Sequence, residues 1–377
     1  MHIVDTTMFF ARESGGVKRY LLAKRAWLER NNEDIRHTLL VPAAADHNDG
    51  AGIVSLASPP LPFSGGYHAP ARMKCWREQL HSLAPDLIEV GDPYQLAWTA
   101  LKVGRMRNVP VIGFYHSDLI RLIGSRLEGW LTPGIGRYVA NLYKRFDLVL
   151  APSQTMVDSL RRLGVERVAL QSLGVDTRQF QPQRRDPELR LRLGLRQDTR
   201  LLVFAGRFAK EKNIPVLLEA MRRLGPRYHL LLVGGGARIR LPNNVTRYPY
   251  IGSEDTLARL MASCDAFVHA GDKETFGLVI LEAMACGIPV VGIAAGGVGE
   301  LVDESVGMPV ARSDARLLVD AISALFERDL RRLGQHCRER AETGYSWDQV
   351  LQSLLNNYQC LTGNEHPVAE LKLRAAG

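Results

Sequence analysis

Cysteine is scarce in this sequence, and what there is does not pair. Cys75, Cys264, Cys286, Cys337 and Cys360 are five in number, widely spaced and free of any C-x-x-C pair. That argues against a secreted disulfide framework and offers no zinc-ligand spacing. Long hydrophobic runs are missing too. The longest uncharged apolar stretch, residues 283–299, carries Pro289 and five glycines, a poor membrane-spanning helix. The opening Met-His-Ile-Val runs straight into a strand-like start with no basic segment ahead of an apolar core. No secretory signal is therefore expected, and the expected compartment is the cytoplasm. The 34 glycines and 19 prolines follow no repeat, which excludes collagen-like and linker-like polymers.

What is present is ordinary for a folded chain: 377 residues, 46% hydrophobic and 23% charged, long enough for two domains and sizeable cores. A net charge of +8 favours anionic ligands or an anionic surface, without choosing among nucleotide, nucleic acid and membrane.

Apolar β-type runs alternate with helical patterns from end to end, which predicts an α/β protein with mostly parallel sheets. First-half strands are expected at 2–5, 36–41, 86–90, 109–115, 147–151 and 168–172, with helices at 17–30, 69–83, 94–106, 134–145 and 154–163. The second half repeats the scheme, with strands at 200–205, 229–233, 245–251, 266–270 and 289–293. Its helices are expected at 214–224, 253–262, 276–285, 314–328 and 347–360. Residues 174–198, rich in proline and arginine, read as a linker. The reading is two Rossmann-like domains, 1–175 and 176–345, with parallel sheets facing across a cleft at their carboxyl ends, and a C-terminal segment 346–377. A dinucleotide site is disfavoured. Ile239 stands where the third glycine should follow Gly234-Gly235-Gly236, and Val302 does the same after Gly297-Val298-Gly299.

The segment richest in chemistry runs from Cys264 to Val291. It reads as strand, loop, helix, Gly-Ile-Pro turn and strand, with Glu274 in the loop and Glu282 in the helix. If the helix begins near Phe276, Glu282 lies about 9 Å along its axis. The amides near Thr275, Phe276, Gly277 and Leu278 then form an anion site flanked by two carboxylates. A diphosphate with a hydroxylated ring on each side fits that layout, the sugar toward Glu274 and the ribose toward Glu282. A capping acid and a solvent-facing glutamate would also account for the isolated pair.

The run Glu274-Thr-Phe-Gly-Leu-Val-Ile-Leu-Glu282-Ala-Met-Ala-Cys-Gly-Ile-Pro-Val-Val resembles the signature of retaining glycosyltransferases of the GT-B fold, family 4 (glycosyl transferases group 1). The likeness extends along nearly the whole chain. Ala294-Ala-Gly-Gly-Val-Gly-Glu300 resembles the family's glycine loop, expected to wrap the donor sugar, with Glu300 capping the next helix. Arg207 and Lys212 match its phosphate-binding pair and Leu231-Leu-Val-Gly-Gly-Gly236 its strand-end turn. In the first half, Gly15-Gly16 resembles its N-terminal glycine loop and Tyr115-His116-Ser-Asp118 its active-site histidine. Ala151-Pro-Ser-Gln and Gly174-Val-Asp176 are similar as well. Each position has a plainer alternative: an exposed basic loop for Arg207 and Lys212, a tight turn for Gly15-Gly16, a structural histidine for His116.

The resemblance implies that residues 1–175 offer the acceptor and residues 176–345 hold the nucleotide-sugar, while the C-terminal helix returns to the first domain. Glu274, His116, Arg207 and Lys212 would be the catalytic set. Gly15, Gly16, Arg207, Lys212, Thr275, Phe276, Gly277, Leu278 and Glu282 would bind the donor. The implied reaction moves a hexose from a UDP- or GDP-sugar to a carbohydrate or lipid-linked acceptor by front-face displacement, and Glu274 positions the sugar without acting as a base. No metal or cofactor is required, the nucleotide-sugar being a substrate, and nucleic acid is not an expected partner. Bacterial relatives often build polysaccharide, lipopolysaccharide or glycolipid at the inner membrane face. Arg121, Arg126, Arg137, Lys144 and Arg145, interleaved with Leu122, Ile123, Leu127, Trp130, Leu131 and Tyr138, read either as a peripheral membrane or acidic-acceptor surface or as a solvated face over core residues. Two rivals are a GT-B phosphorylase or epimerase and an inactive nucleotide-sugar-binding protein. Turnover with and without an acceptor separates all three.

Overall fold

The computed structural model describes residues 1–11, 15–62, 64, 66–120, 132–236 and 239–363. They form two compact units, the first taking residues 1–151, 157–171 and the chain from Val350, the second residues 152–156 and 172–349.

Unit 1 is built on an eight-stranded sheet: β1 (His2–Thr6), β2 (Arg36–Ala43), β3 (His47–Asn48), β4 (Ile53–Ala57), β5 (Leu87–Val90), β6 (Val111–Phe114), β7 (Leu148–Ala151) and β8 (Val168–Leu170). The order is β3-β4-β2-β1-β5-β6-β7-β8, parallel except for the β3–β4 pair. β1, β5 and β6 are buried along their length, as a parallel sheet covered on both faces requires. Helices α1 (Gly16–Asn31), α2 (Met73–Ser82), α3 (Gln95–Arg107), α4 (Thr132–Tyr143) and α5 (Gln154–Arg162) follow in the chain. The strand at 53–57 was not foreseen; only its paired edge with β2 makes it one. Of the basic stretch, residues 121–131 lie outside the described residues. On α4 and just after it, Arg137, Tyr138, Lys144 and Arg145 are exposed while Val139, Leu142 and Tyr143 are buried, a solvated face over a core face.

The centre of this sheet is charged. Asp5 on β1 and Glu89 on β5 are 2% and 1% exposed. Lys24, at a core position of the α1 stripe that also buries Tyr20, Leu21, Trp27 and Leu28, answers both. Its Nζ lies 2.6 Å from Asp5 Oδ2 and 2.8 Å from Glu89 Oε1. His37 Nε2 is 3.0 Å from Asp5 Oδ2, and Tyr20 donates to Glu89 Oε1 at 2.9 Å. Burial pushes the Asp5 carboxyl up, but Lys24 and His37 outweigh it and hold it below its ordinary value. Burial wins at Glu89, whose carboxyl is raised against the pull of Lys24. The last helix, α13 (Trp347–Thr362), closes the cluster: Tyr358 donates to Glu89 Oε2 and accepts from Lys24 at 3.0 Å.

Unit 2 carries six parallel strands: β9 (Arg200–Ala205), β10 (Tyr228–Val233), β11 (Val245–Tyr248), β12 (Ala266–His269), β13 (Val290–Ile293) and β14 (Gly307–Val310), in the order β11-β10-β9-β12-β13-β14. Its helices are α6 (Leu189–Arg192), α7 (Ile214–Leu224), α8 (Glu254–Ala262), α9 (Leu278–Ala285), α10 (Gly296–Leu301), α11 (Ala315–Leu325) and α12 (Leu330–Tyr345).

Several expectations need correcting. Residues 174–198 are packed onto unit 2 rather than forming a loose linker. Phe180 and Leu189 are buried, Arg184 meets Asp255 at 2.7 Å, and Arg190 reaches both oxygens of Asp265 at 2.7 Å. The chain passes between the units at 171 and 349, close to the expected 175 and 345, and the Val175 amide donates to Tyr345 O at 2.8 Å while its carbonyl accepts from Trp347 at 3.3 Å. Helix α12 was not anticipated; its small buried face, Leu333, Gly334, Cys337 and Ala341, makes a weak apolar signal amid arginines. Among the described residues, no helix is long and apolar enough to cross a membrane.

Removing the cation tests the buried cluster. Lys24→Met leaves two buried carboxylates facing each other and should cost unit 1 about 3–5 kcal/mol. Tyr358→Phe should cost about 1–3 kcal/mol through lost hydrogen bonds. Urea unfolding followed by circular dichroism reads both. A Lys24→Met protein as stable as the parent would contradict the assignment.

Candidate active site

β9 and β12 are neighbours at the middle of the unit 2 sheet, and the strand order runs away from them in opposite directions. Such a switch point leaves a crevice beyond the carboxyl ends of the two strands. The loops that leave there carry Arg207 to Lys212 on one side and Asp272 to Gly277 on the other.

The two loops are tied together. After β9, Lys210–Lys212 form a 3-10 turn and Asn213 adopts φ 49° at the start of α7. Asn213 Nδ2 donates across to Ala270 O at 3.2 Å and Asp272 Oδ1 at 3.3 Å. A Cβ on Gly271 would sit 2.7 Å from Glu211 O, so glycine lets the backbones touch. Lys212 Nζ consequently forms an ion pair with Glu274 Oε1, each side chain 18% exposed. His269 Nε2, at the end of β12, lies 3.5 Å from the same oxygen.

Burial lowers the Lys212 ammonium to about 8, with the Arg207 guanidinium adding to that and Glu211 opposing it. Contact with the Glu274 carboxylate favours the charged form, so Lys212 is a cation at neutral pH. Burial, then the Lys212 charge, holds His269 down at about 3; it is neutral, its ring stacked near Phe204 and Phe267.

The Glu274 backbone is fixed from the other side. Gly297 donates to Glu274 O at 2.9 Å, and a Cβ there would lie 2.4 Å from Phe276 Cα. Ser153 Oγ donates to Thr275 O at 2.8 Å. Gly277, at φ 101°, turns the chain into α9. The helix therefore starts at Leu278 rather than near Phe276. Glu282, 3% exposed, lies one turn in, about 6 Å along the axis. Ile280 N already donates to Gly277 O at 2.9 Å, so the N–H groups ahead of it are the ones a helix start leaves for an anion.

Arg207 is exposed on the turn after β9. That turn is braced by Gly234, whose Cβ would fall 1.9 Å from Gly206 O, and by Phe208 donating to Gly235 O at 2.8 Å. The expected glycine loop at 296–299 is instead the first turns of helix α10. Glu300 caps a different helix from the one expected: its carboxylate accepts from Gln154 N at 2.8 Å and Thr155 N at 2.7 Å, at the start of α5.

The structure thus gathers Lys212, Glu274, Thr275, Phe276, Gly277, Leu278 and Glu282 around one loop, with Arg207 on the adjoining turn. Gly15, Gly16 and His116 belong to unit 1. Gly15 precedes α1 at φ −86° and ψ −128°, with open space where a Cβ would go. His116 follows β6, stacked on Phe114 at 4.0 Å and 5.2 Å from Tyr20. Burial and the Lys24 charge lower it to about 3. His269 and Asn213 were not singled out from the sequence, and Ser153 entered only within the run that begins at Ala151. His269 ends an apolar strand, the one available signal.

Two neutral buried histidines carry a pH signature. Their folded pKa values lie below the unfolded 6.5. The stability they confer is complete above pH 6.5 and lost as pH falls toward 3, at about 1.4 kcal/mol per unit per group. The raised carboxyl of Asp92, pushed by burial to about 6, opposes this between pH 6 and 4. His269→Gln should flatten the acid limb of stability measured by urea unfolding at stepped pH; an unchanged limb would contradict the buried neutral state.

The sequence matches the family model described as Glycosyltransferase Family 4 over residues 14–179 and that of Glycosyl transferases group 1 over residues 186–344. It is 31% identical over 291 residues to a GDP-mannose-dependent alpha-mannosyltransferase of Mycobacterium tuberculosis, covering 75% of each chain. A GDP-mannose-dependent alpha-(1-6)-phosphatidylinositol dimannoside mannosyltransferase of the same species is 28% identical over 369 residues, 94% of this chain and 95% of that one. The sulfoquinovosyl transferase SQD2 of Arabidopsis thaliana is 29% identical over 287 residues, and the chain spans 56% of its length. Among solved structures, Anabaena HepE in complex with UDP-glucose superposes with a TM-score of 0.76 over 96% of this chain and 100% of that one, at 21% identity. Two parallel-sheet units, the loop and helix carrying Glu274 and Glu282, and these likenesses together establish that the chain belongs to the group 1 glycosyltransferases of the GT-B fold.

Proposed function

We propose that the chain transfers a hexose from a UDP- or GDP-sugar to a carbohydrate or lipid-linked acceptor, with retention of configuration and without a metal. The observation that carries the reading is a carboxylate, Glu274, held by an exchangeable cation, Lys212, at the mouth of a helix whose second carboxylate, Glu282, lies one turn deeper. Relatives that use GDP-mannose support a nucleotide-sugar donor.

The diphosphate sits against the first amides of α9, where the helix dipole and unpaired N–H groups favour an anion. Lys212 leaves Glu274 for the phosphates, joined by Arg207, and the freed carboxylate takes the hydroxyls of the donor sugar. Glu282 accepts from the ribose. In the transfer step the bond from the anomeric carbon to the diphosphate oxygen breaks, and the bond to the acceptor oxygen forms on the same face. The acceptor proton passes to the departing diphosphate, and Arg207 and Lys212 offset the charge that develops there. Neutral His116 hydrogen-bonds a sugar hydroxyl. No side chain is needed as a covalent nucleophile.

Three substitutions separate these roles. Glu282→Ala should weaken UDP or GDP binding by about 1–3 kcal/mol. Glu274→Ala should leave that affinity intact and cut turnover of the intact donor. Lys212→Ala should lower kcat by roughly 10²–10³, the cost of a lost transition-state stabiliser. Calorimetry and steady-state kinetics read all three. A Lys212→Ala enzyme with normal kcat and raised KM would show that the lysine binds ground and transition states alike. Donor turnover that ignores every offered acceptor would instead favour hydrolysis, and binding without turnover a sensor.

A further inference from the structure

Unit 1 has its own switch point. From β1 the strand order leaves through β2 on one side and β5 on the other, so a crevice is expected beyond the carboxyl ends of β1 and β5. A cavity of about 520 Å³ lies there, lined by Met8 and Phe9 just after β1 and by Asp92 and Tyr94 just after β5. Leu61, Ser64 and Tyr67, after β4, and Gln95 and Leu96, at the start of α3, line it too.

The lining is mostly apolar, with Ser64, Gln95 and Asp92 as its non-aromatic polar side chains. Phe9 stands edge-on to Tyr67, centroids 5.7 Å apart, and edge-on to Tyr94 at 5.9 Å. The one carboxyl, Asp92, is already committed: Oδ2 accepts from Met8 N at 2.7 Å and Oδ1 from Tyr94 N at 3.1 Å. It therefore fastens the two loops that carry the aromatic walls. Met8, Phe9, Leu61 and Tyr67 are only half-buried, and Tyr94 is 37% exposed. Such a concave apolar surface at a ligand-binding position suits a small apolar group. A sugar ring alone would leave most of its hydroxyls facing carbon.

We propose that this cavity holds the apolar part of an amphiphilic acceptor, an alkyl or aryl group joined to the hydroxylated moiety that receives the hexose. The inference rests on the reading of the chain as a transferase with an acceptor bound by unit 1. It narrows the acceptor to one with an apolar tail or aglycone.

The test measures binding, not turnover. Methyl, butyl, hexyl and octyl β-D-glucopyranosides, each below its micelle concentration, are titrated into the full chain by calorimetry. Filling the cavity should tighten binding about two- to fourfold per added methylene until the space is full. Leu61→Asp should abolish the gain while leaving UDP or GDP affinity unchanged, since the nucleotide site lies in the other unit. Tyr94→Ala, at an exposed position, should reduce the gain even if Leu61→Asp does not fold. Equal affinities along the series in the parent chain, or a slope retained in the folded variants, would overturn the inference. Failure to bind UDP and GDP would instead count against the transferase reading, because the chain-length slope is judged without donor.

Discussion

Parallel strands whose crossovers leave in opposite directions cannot cover the gap at their own carboxyl ends, and that constraint places the chemistry of this chain. In unit 2 the gap lies beyond β9 and β12, and the two loops that leave it bring Lys212 to Glu274. In unit 1 it lies beyond β1 and β5, where Met8, Phe9, Asp92 and Tyr94 line a cavity. Glycines serve the geometry only where backbones collide. Gly271 lets the Lys212 loop approach, and Gly297 lets α10 hold the Glu274 loop.

Two lysines show how burial separates a sealed structural charge from one that a ligand can reach. Lys24 is 1% exposed and held by two carboxylates and a tyrosine. No ligand can reach it, and removing it strands two buried charges. Lys212 has one carboxylate partner at a site 18% open to solvent. Its pair is worth less to stability, and a diphosphate with more negative charge can compete for it. The first arrangement anchors α1 and α13 to the sheet. The second is poised for exchange.

Much of this was legible in the sequence. Alternating strand and helix patterns placed most of both sheets, and the spacing of Glu274 and Glu282 singled out the loop and helix that carry them. The rest depended on contacts distant in sequence. Lys24 lies in a helical stripe and Glu89 in an apolar strand, 65 residues apart, and neither declares its partner. The ion pair of Lys212 with Glu274 needed the loop register that Asn213 and Gly271 set. The segment 174–198 looked like a linker because its packing rests on a few anchors, Phe180, Leu189 and Arg190, among solvated arginines. The Gly296–Gly299 run looked like a loop because helix propensity argues against glycine; contacts of Gly297 and Val298 with their surroundings override that preference.

In the proposed mechanism the donor sugar is held by Glu274 while its diphosphate leaves and the acceptor enters on one face. The configuration at the anomeric carbon reports on that directly. Proton NMR of the fresh product, taken before any mutarotation, should show an α-linked hexose from an α-linked nucleotide donor. A β-linked product would mean attack from the opposite face and would contradict the account.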